Sequence, residues 1–368
     1  LTQGIKEMQK GQGSAWLIAG ESGVGKSRLL SELRTQSLMD GALVVRGQAV
    51  TEGGAPYQLW RDVMQWLVLI TPDVNDEEAS VARELVPEID RILGRAVAPA
   101  PTIAPQQARE RLLIIFERLL RRQTQPILIL LEDLQWATES LQVLKHINQI
   151  VTELPVMTVG SYRIDESPKL AEQVPHQHLI KLNRLENDEI ARLSSGILGD
   201  AGNDEQIVNL IQEQTEGNVF FIIEVIRALA DDVQSLDEIT QRTLPMQVFS
   251  GGMQKIIDRR LQRIPQSGRD LLRVAAIYGR ELNLDVLKQI APDTNIDAWL
   301  VTVSDAAVID VEDGTWRFSH DKLREGVLKQ LSADDRRDLH RDVALAIEQL
   351  YPDDPKYTVP LAMHWRQA

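Results

Sequence analysis

The chain contains no cysteine. Disulfides, thiolate zinc sites and cysteine nucleophiles are therefore excluded, and a reducing, cytoplasmic compartment is expected. Aromatic residues are scarce, at 5% of the chain, and do not interleave with a basic stretch. A stacking platform for single-stranded nucleic acid is therefore not expected. Positive charge is in deficit, with 40 Lys and Arg against 54 Asp and Glu, a formal net charge of -14. That balance argues against a general nucleic-acid partner, although a local basic patch can survive in an acidic chain. No apolar run approaches the ~20 residues needed to span a bilayer. No signal peptide is visible either, so no membrane partner is expected. His176-Gln177-His178 has too few partners for a metal site, with no cysteine and no acidic pair at ligand spacing, and reads instead as a loop-to-strand transition. Ser22 and Ser161 lack the His and Asp of a hydrolase triad.

What remains is an ordinary soluble composition, 43% hydrophobic and 26% charged over 368 residues, long enough for two or three domains. The first residue is Leu1 rather than Met, which reads as a piece of something longer. Its most informative stretch is Gly20-Glu21-Ser22-Gly23-Val24-Gly25-Lys26-Ser27, a complete G-x-x-x-x-G-K-[ST] phosphate loop. The glycines let backbone N–H groups curl around a phosphate chain, Lys26 reaches the outer phosphates, and the Ser27 hydroxyl suits Mg²⁺. The apolar run Ala15–Ala19 before it reads as a buried strand. Leu29, Leu30 and Leu33 after it lie on one side of a helix, whose dipole adds to the anion site. ATP or ADP with Mg²⁺ is the expected cofactor.

Further runs, Ala42–Arg46, Ile127–Leu131 and Val156–Val159, are short and nearly all apolar, as in strands buried on both faces of a parallel sheet. Alternation with helical stretches predicts a βαβ architecture over residues 1–182. Ala96–Pro105 reads as a loop, and Gln106–Arg122 as a helix with Leu112, Ile115, Phe116 and Leu119 inward. Residues 183–244 are helical by period, with helices over Glu186–Leu198, Asp204–Thr215 and Phe220–Ala230. Asp231–Leu244 reads as a polar connector. Residues 245–331 combine helices with a hairpin, Ala307–Val311 and Thr315–Phe318, around Glu312-Asp313-Gly314. That pattern suggests a winged helix. Residues 332–368 read as a helical arm, with Leu339–Leu350 amphipathic and a new element beginning at Leu361–Trp365.

Two carboxylates, Glu132 and Asp133, emerge at the end of the Ile127–Leu131 run, where ligands bind in open α/β sheets. One can hold Mg²⁺ and the other can polarise the attacking water. Adjacent strand residues face opposite ways, so they divide the tasks, and spacing does not settle the assignment. Position after the strand favours Glu132 at the metal and Asp133 at the water. The Val156–Val159 run leads to Gly160-Ser161-Tyr162-Arg163. If that strand lies beside the phosphate-loop strand, Arg163 emerges near the γ-phosphate as sensor or charge stabiliser.

With these residues in view, the chain resembles the STAND ATPases, signal-transduction ATPases with numerous domains. The likeness is to the bacterial branch found in large regulators, kinases and cyclases, and it runs over nearly the whole chain. Gly20–Leu30, Arg28 included, resembles that family's phosphate loop and helix start. Arg46-Gly47 and Pro56-Tyr57 resemble its second-strand region. Leu131-Glu132-Asp133-Leu134-Gln135-Trp136-Ala137 is similar to its acidic strand, although Thr138 stands where Asp is frequent. Gly160–Arg163 is similar to its first sensor. Glu216-Gly217-Asn218-Val219 resembles the Gly-x-Pro region that packs on adenine, with Val219 in place of Pro. Phe318-Ser319-His320-Asp321 is similar to the Met-His-Asp element, which implies that His320 meets the β-phosphate of ADP, supported by Asp321.

The resemblance implies an ATP/ADP-dependent switch. ADP would close it between the first domain and the winged helix, and ATP would open it to a homo-oligomer, with slow hydrolysis. A stimulus and an effector would act through flanking domains. No arginine finger is evident. Arg121, Arg122, Arg259, Arg260, Arg336 and Arg337 are candidates only by residue type. A P-loop motor or housekeeping ATPase, a winged-helix DNA-binding regulator and a non-hydrolysing scaffold are the competing readings.

Overall fold

The apolar runs become four strands of a five-stranded sheet in the computed structural model, which describes residues 1–49, 56–231, 252–312 and 314–368. The strands are β1 (Ser14–Gly20), β2 (Leu43–Gln48), β3 (Ile127–Glu132), β4 (Val156–Arg163) and β5 (His178–Lys181). Their order is β2-β3-β4-β1-β5, all parallel. The helices of this unit are α1 (Thr2–Met8), α2 (Lys26–Met39), α3 (Arg61–Ile70), α4 (Asp76–Arg83), α5 (Ile89–Leu93), α6 (Pro105–Arg121), α7 (Leu141–Ile150) and α8 (Leu170–Gln173). Strand parity divides the core between the two sheet faces. Ile127, Ile129 and Leu131 pack with Trp60, Met64, Ile115 and Phe116. Leu128 and Leu130 pack with Ile5, Met8, Leu30 and Leu33. β3 and β4 are buried from both sides, which favours apolar residues on both faces and is why their runs do not alternate.

The chain divides into two units, residues 1–21 with 25–182, and residues 22–24 with 183–368. In the second unit α9 (Asn187–Leu198), α10 (Glu205–Thr215) and α11 (Val219–Asp231) share a core of Ile190, Ile207, Ile211, Ile222 and Val225. A larger core gathers α12 (Gly252–Gln262), α13 (Gln266–Tyr278), α14 (Leu284–Ile290), α15 (Ile296–Asp305) and α16 (Asp321–Lys329). It also takes in the antiparallel pair β6 (Ile309–Glu312) and β7 (Thr315–Phe318), and α17 (Ala333–Leu350). The connector expected after Asp231 lies mostly outside the described residues, as does Asp313 of the hairpin turn. Two C-terminal helices are longer than their apolar period suggests. Ser332 and Asp335 form a capping box that starts α17 six residues before Leu339. Asp354 caps α18 (Pro355–Gln367), with Pro355 at its first position. Among the described residues no helix is long and apolar enough to cross a membrane.

Candidate functional site

The phosphate loop begins where β1 ends, because Gly20 closes the strand and α2 opens at Lys26. Gly23 and Gly25 have φ of +89° and +105°, backbone that a side chain would strain. Gly25 is the N-cap of α2 and offers no side-chain acceptor. The amides of the first helical turn are thus left without a side-chain cap, the arrangement an anion satisfies. Lys26 Nζ donates to the carbonyl oxygens of Gly20 at 2.8 Å and Glu21 at 2.7 Å, so the ammonium curls back over its own loop. Arg28, in the first turn of α2, is 80% exposed and pairs with Glu32.

Parity places Glu132 on the same sheet face as Leu128 and Leu130, the face covered by α2. Ser27 Oγ lies 3.5 Å from Glu132 Oε2, and Arg46 donates to Oε1 at 2.5 Å. A hydroxyl and a carboxylate oxygen at this spacing fit a small hard cation that takes its other ligands from phosphate and water. Among the described residues no three His, Cys, Asp or Glu cluster as a metal cage. Asp133 turns elsewhere. Its φ of +59° ends the strand, and its two oxygens accept from Gln48 Nε2 at 2.9 Å and Gln135 Nε2 at 3.3 Å. Of the two carboxylates, Glu132 is the one bonded to Ser27.

β4 lies beside β1, with Arg163 opposite Gly20. The Arg163 backbone N–H donates to Gln135 Oε1 at 3.0 Å, so one carboxamide joins the end of β4 to Asp133. The Arg163 guanidinium donates to Glu166 at 2.7 Å and lies 5.1 Å from the centre of the Trp136 ring. Gln48, Gln135 and Glu166 were not singled out from the sequence. Gln135 had a readable signal, since it sits two residues beyond Asp133 in the short 3₁₀ turn Leu134–Trp136.

In the second unit Gly217 has φ of +79°, and a side chain there would start 2.1 Å from the Leu185 carbonyl oxygen. Asn218 Nδ2 donates to the Ser22 carbonyl at 2.9 Å, and Phe220 N–H to that of Gly23 at 3.0 Å. Val219 is half-buried and opens α11, a helix start that needs no proline. Val24 is buried. His320 is the N-cap of α16, its Nδ1 accepting from Lys322 N–H at 3.1 Å, and its ring stacks on Phe220. Asp321 lies 3.5 Å from Arg280 Nε. Among the arginine candidates, Arg260 is buried against Glu224, Arg121 pairs with the half-buried Glu117, and Arg122 with the buried Glu78.

Residues 1–159 match the AAA ATPase domain family. An uncharacterized protein of Rhizobium meliloti (strain 1021) is 23% identical over 378 residues, covering 92% of this chain and 35% of that protein. A Signal Transduction ATPase with Numerous Domains carrying a tetratricopeptide repeat sensor, from Pyrococcus horikoshii, superposes with a TM-score of 0.58 at 12% identity. That match covers 99% of this chain and 47% of the archaeal one, so the chain spans less than half the length of either relative. The Orc1 protein of Aeropyrum pernix, solved in complex with DNA, gives a TM-score of 0.39 at 13% identity over 89% of this chain and 90% of that one, too remote to carry an argument. Over residues 1–159 the chain is thus similar to AAA ATPase domains, and its fold is that of the archaeal STAND-class P-loop ATPase.

Proposed function

We propose that this chain is the nucleotide-binding core of an ATP/ADP-dependent switch that closes with ADP, opens and self-associates with ATP, and hydrolyses ATP slowly. The observation that carries the reading is the gathering of Lys26, Ser27 and Glu132 at the C-terminal ends of β1 and β3, with Arg163 of the intervening β4 opposite Gly20. The residues divide the work. Lys26 exchanges its bonds to the Gly20 and Glu21 carbonyls for phosphate oxygens, and the first amides of α2 bind the same anion. Ser27 and Glu132 hold Mg²⁺, which when bound neutralises charge on the phosphates. Asp133, held from both oxygens, orients water. Arg163 meets the γ-phosphate. Val219 supplies an apolar contact to the adenine, and His320 binds the β-phosphate of ADP.

In this reading residues 1–182 are the nucleotide-binding domain, 183–244 a helical domain, 245–331 a winged helix and 332–368 an arm. The boundary at 244 lies outside the described residues. What supports a winged helix is the sequence of α12 to α15 followed by the β6–β7 pair and α16. Stimulus and effector would belong to flanking domains, the chain would act in the cytoplasm, and nucleic acid and membrane are not expected partners. Calorimetric titration with MgADP and MgATP tests the site. Lys26→Ala should abolish binding of both, and wild-type affinity in that variant would overturn the assignment.

A further inference from the structure

The Arg163 side chain is 7% exposed and makes an ion pair with Glu166, Nη1 to Oε1 at 2.7 Å. The second carboxylate oxygen, Oε2, accepts from Trp136 Nε1 at 3.0 Å. The Trp136 ring also faces the Arg163 guanidinium, 5.1 Å from its centre. One tryptophan thus holds both members of the pair, the acid by a hydrogen bond and the cation by its π-face. The Arg163 backbone lies opposite Gly20, where the phosphate loop starts. The carboxylate therefore offers the guanidinium, at the edge of the site, the same chemistry a terminal phosphate would offer: anionic oxygens within hydrogen-bond reach.

We propose that Glu166 competes with the γ-phosphate for Arg163 and so sets how strongly the site prefers ATP over ADP. The inference rests on the reading that Arg163 meets the γ-phosphate. ADP has no third phosphate, so Arg163 keeps its carboxylate partner when ADP binds. ATP exchanges one anion for another and gains only the difference between them. Glu166 is 36% exposed, so water takes over its solvation on release, and the exchange costs little. Removing the negative charge should therefore tighten ATP without touching ADP.

The test is equilibrium titration of the full chain with MgADP and with the magnesium complex of a β,γ-imido ATP analogue, for wild type, Glu166→Gln and Arg163→Ala. The Gln side chain keeps the shape and the acceptor for Trp136. Glu166→Gln should raise affinity for the triphosphate about two- to five-fold, the range of a partly exposed ion pair, with ADP unchanged. Arg163→Ala should erase the preference for triphosphate. If Arg163→Ala erases it and Glu166→Gln leaves triphosphate affinity equal or weaker, Glu166 is a support for Arg163 and not a rival, and the inference is overturned. If Arg163→Ala discriminates as wild type does, the role of Arg163 itself is wrong and the inference goes with it.

Discussion

The Phe220 ring and the His320 imidazole stack with centroids 3.9 Å apart and planes 19° from parallel. Phe220 follows Val219 in the first turn of α11, and His320 caps α16. Because His320 Nδ1 accepts the Lys322 N–H, the proton of the neutral ring sits on Nε2, the nitrogen able to donate to a phosphate. His320→Ala should speed ADP release, and Phe220→Ala should do so by about three- to ten-fold, since an aromatic stack contributes ~0.5–1.5 kcal/mol. Stopped-flow displacement of a fluorescent ADP reads both rates. Wild-type rates in both variants would remove His320 from the nucleotide site.

Asp133 and Gln135 form a second testable pair. Asp133→Asn should leave nucleotide affinity near wild type and lower steady-state hydrolysis by ~10²- to 10⁴-fold, the usual contribution of a general base. Gln135 touches Asp133 with its amide nitrogen and the Arg163 backbone with its oxygen. Gln135→Ala should therefore lower kcat by about ten-fold with little change in KM, the pattern of a group that acts through the transition state. A rise in KM with unchanged kcat would assign Gln135 to binding instead.

Inside the second unit, Glu224 and Arg260 are 8% and 7% exposed and bonded at 2.5 Å, and Arg260 Nε also donates to the Ala306 carbonyl at 3.1 Å. Burial lowers the Arg260 pKa, while Glu224 opposes that shift. Glu224→Ala leaves a buried guanidinium without its carboxylate and should cost about 3–5 kcal/mol in chemical denaturation. The double variant Glu224→Leu, Arg260→Met should recover most of that loss, because it removes both charges together. A double variant as unstable as the single one would mean that packing, and not charge, governs this contact.

His364 is 1% exposed, with its Nδ1 2.9 Å from that of His340 and its ring stacked on Tyr278. Burial first, then the charges of His340 and Arg324, lowers its pKa from 6.5 to about 4. Above pH 6.5 the imidazole is neutral folded and unfolded, and it adds nothing to the pH dependence. Between pH 6.5 and about 4 the unfolded chain takes up a proton that the folded chain refuses, so stability falls as pH falls. The loss approaches about 3 kcal/mol at the lower end. Melting curves across that window should show a steeper decline for wild type than for His364→Phe. Parallel profiles would contradict the burial argument.

The parts legible in the sequence were those in which one local pattern fixes the physics. Continuous apolar runs gave β1 to β4, and a glycine-lysine loop between a strand and a helix gave the anion site. Strand β5 was not legible as more than a transition at His178, because as an edge strand of four largely exposed residues it has no apolar run. The start of α17 was missed because the signal is a cap at Ser332 and not a period. The partners of Glu132 and Asp133 were hidden for another reason. Arg46 and Gln48 come from a strand some eighty residues away, and only the β2–β3 register brings them alongside. Glu166 lies three residues past Arg163, and its partnership depends on how the chain leaves β4.

The most direct test of the switch is the mass in solution of the Asp133→Asn chain, measured by light scattering after loading with MgADP and, separately, with MgATP. The account predicts the monomer mass with ADP and a multiple of it with ATP, with Lys26→Ala remaining monomeric in both. Equal mass in the two nucleotide states, with binding of both established, would contradict it.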